Sequence, residues 1–146
     1  MRRILVRVVA VLVLVGGLGW ATLAIRHHLI FGTVFDEKAL RPTVDRGERF
    51  SLAVPDHGAS VGDEWSPTVS PDGLLRAEGN RQVMSDLHDR IFGPLIGGGA
   101  GTRYFTYTAS RSGTVTVRLY NCFEGLCGRG LNDPVSRGVT WTITIR

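Results

Sequence analysis

Apolar and polar side chains alternate over several short runs of the chain. Phe50, Leu52 and Val54 alternate with Ser51 and Ala53, a period of two that predicts a half-buried strand closed by Pro55-Asp56. Arg103–Thr108 (RYFTYT) is aromatic and threonine rich, the composition of a second strand. Val115, Val117 and Leu119 alternate with Thr114, Thr116 and Arg118, and Val139, Trp141, Ile143 and Ile145 alternate with Thr140, Thr142 and Thr144. Ala109–Gly113 is a short turn-like link, so the runs on either side of it are expected to pair as a hairpin. Leu74-Leu75 and Arg81–Met84 are weaker strand candidates, and Ser85–Phe92 fits either a short helix or a loop. Short strands separated by glycine-containing turns predict an all-β chain folded as a β-sandwich.

The N-terminal pattern is different. Val8–Ile25 (VVAVLVLVGGLGWATLAI) has no charged residue over 18 positions. As a helix it is roughly 27 Å long, close to the thickness of a bilayer's hydrocarbon core. Arg2, Arg3 and Arg7 precede it, only Arg26 follows closely, and Trp20 lies near its far end. The positive-inside rule then leaves the N-terminus in the cytoplasm and the rest of the chain outside, as a single-pass cell-membrane protein. A cleaved signal peptide is the alternative: Thr22-Leu23-Ala24 offers small residues for cleavage after Ala24, giving a secreted domain. The expected organisation is a membrane anchor or signal segment over 1–25, a stem over 26–44 and the β domain over 45–146.

Charge sharpens this division. The chain carries 17 basic and 13 acidic residues, a formal net charge of +4. Arg2, Arg3, Arg7 and Arg26 account for that excess, because the first acidic residue is Asp36 and positive and negative groups balance from it onward. A nucleic-acid-binding domain needs a local excess of cations, so nucleic acid is excluded as the expected partner. Glycine is abundant (19 residues) and Lys38 is the one lysine, a composition poor for a helix bundle.

The sequence holds no P-loop, zinc-helix motif or dinucleotide fingerprint. Gly97-Gly98-Gly99-Ala100-Gly101 leads into a strand, without the helix N-terminus that would hold a phosphate. Asp63-Glu64 are sequence neighbours expected to point apart in a solvated turn. His57 and His88 would have to converge with Cys122 and Cys127 to bind zinc, and C-x4-C is not a tight metal spacing. Neither an enzyme nor a cofactor is expected, and no metal site. Cys122 and Cys127 lie in NCFEGLCGRG, and outside the cytoplasm so close a pair most often forms a disulfide. Two roles are open for it: presenting Phe123, Glu124 and Leu126 on a rigid loop to a partner, or stapling a strand end with Phe123 in the core.

These elements together resemble the chagasin-type inhibitors of papain-like cysteine peptidases. The resemblance covers residues 45–146. After the run Phe50–Val54 come Gly58-Ala59-Ser60-Val61-Gly62-Asp63-Glu64-Trp65, where the family has Asn-Pro-Thr-Thr-Gly followed closely by an aromatic and a Trp; Gly62 and Trp65 match at the family's spacing. Gly97–Gly101 and the alternating aromatics Tyr104, Phe105 and Tyr107 resemble its glycine-rich second loop and the strand after it. Asn121-Cys122-Phe123 stand where its third loop has Arg-Pro-Trp, and Val139–Ile145 with Trp141 resemble its last strand. The resemblance implies an immunoglobulin-like β-sandwich whose three adjacent loops occlude a peptidase cleft without catalytic residues or cofactor. It assigns partner contacts to Gly58, Ala59, Ser60, Val61 and Gly62, to Gly97, Gly98, Gly99, Ala100 and Gly101, and to Asn121, Phe123, Glu124 and Leu126. Altered first and third loops also fit a second reading, a cell-envelope module on the same fold that binds another protein or a glycan.

Overall fold

The structure is a computed structural model that describes residues 25–58, 62–93, 99–123 and 137–146, without the side chain of Phe123. Residues 25–31 are helical (α1). The elements that follow are β1 (Thr33–Phe35), β2 (Thr43–Val44), β3 (Arg49–Asp56), β4 (Asp63–Ser70), β5 (Leu75–Met84), α2 (Leu87–Phe92), β6 (Gly101–Ala109), β7 (Gly113–Phe123) and β8 (Arg137–Ile145). The strands form two four-stranded sheets, ordered β1-β3-β6-β5 (sheet A) and β2-β8-β7-β4 (sheet B).

The alternating residues meet between the two sheets. Phe50, Leu52 and Val54 of β3 and Phe105, Tyr107 and Ala109 of β6 face Val115, Val117 and Leu119 of β7 and Trp141, Ile143 and Ile145 of β8 in one buried cluster. The architecture is therefore all-β, a two-sheet sandwich held by apolar faces packed together.

The expected hairpin between 103–108 and 115–119 does not form. β6 lies in sheet A between β3 and β5, whereas β7 lies in sheet B between β8 and β4. The link at 110–112 crosses from one sheet to the other, anchored where the Ser110 amide donates to the Leu74 carbonyl at 2.8 Å. Both strands turn their apolar residues inward, but toward each other across the core.

β3 is also more buried than a half-buried strand. Ser51 and Ala53, on its outer side, are buried as well. The end of α1 covers Ser51, whose Oγ donates to the Phe31 carbonyl at 2.6 Å and lies 2.8 Å from Thr106 Oγ1. The Phe31 ring stacks on Tyr104 with centroids 4.2 Å apart.

The stretch expected as a stem thus packs against the sandwich and supplies an edge strand to each sheet. β1 runs parallel to β3, with Thr33 opposite Phe50. β2 runs parallel to β8, and the amides of Thr142 and Thr144 donate to the carbonyls of Leu40 and Pro42. Trp141 Nε1 donates to the Asp36 carbonyl at 3.1 Å. Among the described residues no helix is long and apolar enough to cross a membrane. The apolar run Val8–Ile25 lies, except for Ile25, outside the described residues.

Candidate functional site

Strand register gathers three chain connections at one end of the sandwich. Asp56, the last residue of β3, lies opposite Gly101, the first of β6. Asp63, the first of β4, lies opposite Phe123, the last of β7. Asn121 of β7 pairs with Arg137, which opens β8. The two ends of the connection after β3 therefore lie beside the start of β6 and the end of β7.

Two buried aspartates hold the base of the central loop. Asp56 Oδ1 accepts the Gly58 amide at 2.7 Å, and Asp56 Oδ2 accepts the guanidinium of Arg103 from β6. The Arg103 side chain also donates to Asn80 Oδ1 at 2.9 Å, which ties the pair to β5. Removing Arg103 would leave the buried Asp56 carboxylate without its compensating charge. Asp63 Oδ2 accepts the His57 amide at 2.8 Å and lies 2.9 Å from His57 Nδ1. Asp63 Oδ1 accepts Asn121 Nδ2 at 3.0 Å, while Asn121 Oδ1 accepts the Glu64 amide at 3.1 Å. Burial pushes the Asp63 carboxyl up, but the bonds from Asn121 and from the His57 backbone and ring outweigh it and hold its pKa below the usual value.

Each expected contact residue can now be placed. Gly58 (φ 93°) and Gly62 (φ 86°) bracket the central loop in backbone conformations that favour glycine. Ala59, Ser60 and Val61 lie outside the described residues, as do Gly97, Gly98, Glu124, Leu126 and Cys127. The Gly99 carbonyl accepts Gln82 Nε2 at 2.6 Å, and the Ala100 carbonyl accepts Ser85 Oγ at 2.7 Å, so both are tied to the end of β5. Gly101 is explained by strand packing, because a Cβ there would overlap the Val83 carbonyl. Asn121 is 5% exposed and directs its side chain inward to Asp63 and Glu64. Its contribution is to brace the loop base from within. Cys122 is buried and is not a free thiol. Phe123 ends β7 beside the central loop.

Asp63 and Glu64 do point apart, one buried and one exposed, but at the start of a strand where a solvated turn was expected. His57 bonds Asp63, whereas His88 Nδ1 lies 3.7 Å from Asp89 on α2. Sequence reasoning missed the aspartate tethers. Asp56-His57-Gly58 carried the available signal, since an aspartate two residues before a glycine favours the side-chain-to-backbone turn seen here. The partners Arg103 and Asn121 were separated from the aspartates by dozens of residues, and only strand register brings them together.

No protein-family model and no curated protein matches the chain. Solved structures do. The cysteine protease inhibitor EhICP2 from Entamoeba histolytica superposes with a TM-score of 0.57 at 16% identity, over 78% of this chain and 95% of that one. The solution structure of amebosin gives a TM-score of 0.56, also at 16% identity, over 78% of this chain and 97% of that one. The likeness is one of fold, and it supports the chagasin-like sandwich that the strand framework suggested.

Proposed function

We propose that the chain is an exported, membrane-anchored chagasin-like domain that binds and occludes papain-like cysteine peptidases through the loops at 57–62, 97–102 and 121–128. The observation that carries this reading is the tethered base of the central loop. Asp56–Arg103 ties it toward the second loop, and Asp63–Asn121 ties it toward the third. A loop braced on both sides loses less conformational freedom on entering a cleft. The likeness to a cysteine protease inhibitor supports the same reading. In this reading the chain's two cysteines, Cys122 and Cys127, pair to stiffen the third loop and present Phe123 and Leu126 as apolar anchors. The run Val8–Ile25 holds the domain at the outer face of the cell membrane, the alternative being secretion after cleavage.

The test is inhibition of several papain-like enzymes by the full chain in detergent. The expected result is stoichiometric inhibition without cleavage of the chain; none at micromolar protein overturns the proposal. The inward side chain of Asn121, at the position of the family's third-loop motif, favours a second reading: an envelope module that binds another protein or a glycan. A non-peptidase partner recovered from envelope extract and lost on Phe123→Ala would support that reading.

A further inference from the structure

The outer side of sheet A carries a second surface, which adjoins the second loop through Gln82. α1 and α2 flank a groove of about 320 Å³ beside the edge strand β5. Arg26 and Ile30 from α1, Arg81 and Met84 from β5, and Arg90 from α2 line it. Arg90 Nε donates to the Met84 carbonyl, which fixes that guanidinium at the wall. The acidic lining residue, Asp89, is faced by the ring of His88. Asp86, nearby, accepts the amides of His88 and Asp89 as the helix cap.

Both helices also show apolar side chains to solvent. Ile25 and Leu29 on α1 are 59% and 66% exposed, and Leu87, Ile91 and Phe92 on α2 are 68%, 64% and 76% exposed. No residue of α2 is buried. A helix of six residues is marginal alone, and its apolar positions gain nothing from water.

We infer that this face rests on an anionic phospholipid bilayer. Two observations select lipid as the occupant. The uncharged run Val8–Ile25 ends on α1 itself, so an anchor there leaves the groove within roughly 10 Å of the hydrocarbon, the length of seven helical residues. Arginines beside exposed leucine, isoleucine and phenylalanine match the composition of interfacial helices, which attract anionic headgroups. The inference rests on the anchor in the proposed function and is independent of peptidase inhibition.

Hydrogen exchange of the full chain in lipid nanodiscs tests it. One set of discs is phosphatidylcholine alone, and the other is an equal mixture with phosphatidylglycerol. Amides of residues 86–93 are expected to exchange more slowly in the anionic discs, with β7 and β8 unchanged. Arg26→Glu with Arg81→Glu should abolish the difference, each arginine contributing about fivefold. Leu87→Ser with Phe92→Ser should weaken it while leaving the charges intact. Equal protection in both lipids, or protection indifferent to the charge reversals, overturns the inference. Protection that appears only when a papain-like peptidase is added overturns it in favour of a protein occupant. A chain that fails to co-purify with the discs overturns the anchor and this inference with it, while the inhibition assay stands on its own.

Discussion

Asp63 joins two of the three loops, and its chemistry sets how the loop end responds to acid. Its carboxyl titrates below the ordinary value of 3.8 in the folded chain, because the bonds from Asn121 and His57 favour the charged form. The unfolded chain therefore takes up the proton first as pH falls. The carboxylate's contribution is present above about pH 4, the unfolded range, and is lost as pH falls through the folded value. Denaturant midpoints followed from neutral into acid should drop more steeply for the native chain than for Asp63→Asn. At neutral pH, Asp63→Asn turns a donating NH2 toward either Asn121 Nδ2 or the His57 amide and should cost about 1–3 kcal/mol. A variant as stable as the native chain at both ends of the range would remove Asp63 from this role. Gly101 makes the complementary point about packing. Its lack of a Cβ admits the Val83 carbonyl, so Gly101→Ala should destabilise by about 1–3 kcal/mol through overpacking, read as a lower urea midpoint.

At the scale of elements, the sequence pattern identified the central strands but not their partners. Periodicity of two shows which side chains face a core, and β3, β6, β7 and β8 all carry it. It does not say which strand lies alongside. The short link at 110–112 suits a hairpin, and the pattern alone does not separate that pairing from β6 with β3 or β7 with β8. β4 gave no strand signal and β5 only weak ones at its two ends: both lie at sheet edges, and Arg76–Asn80 are exposed, so neither has a full apolar face to announce it. Pro67 lies within β4, where an edge position tolerates it. The N-terminal cover was concealed for another reason. Phe31 is buried by stacking on Tyr104 from a separate part of the chain, a contact that leaves no local pattern. Phe31→Ala should therefore cost about 3 kcal/mol, read as a lower urea midpoint of the full chain in detergent. No change would mean that sheet A does not need α1. The site was legible to a similar depth: the glycine ends Gly58 and Gly62 were visible in sequence, and the long-range bonds of Asp56 and Asp63 were not.

For the molecule as a whole, the position of charge matters more than its sum. The excess of four positive charges lies before Asp36, and from Asp36 onward basic and acidic residues balance. Within the balanced part, Asp56 neutralises Arg103 beside the loops, whereas Arg81 and Arg90 line the groove between the helices, together with Arg26. From Asp36 on the chain is formally neutral and has little net field to steer a partner to the loops, whereas the groove gathers three arginines. This separation makes the salt dependence of inhibition informative about which surface docks. A peptidase captured by the loops should associate at about 10⁵–10⁶ M⁻¹s⁻¹, the range for pairs without electrostatic steering. Raising the salt should change that rate by less than about threefold, because no field is there to be screened. Stopped-flow association at low and high salt measures it. A rate that instead falls steeply with salt, and falls further with Arg26→Glu and Arg81→Glu, would mean that an acidic peptidase approaches the groove, which would remove the loops from first contact.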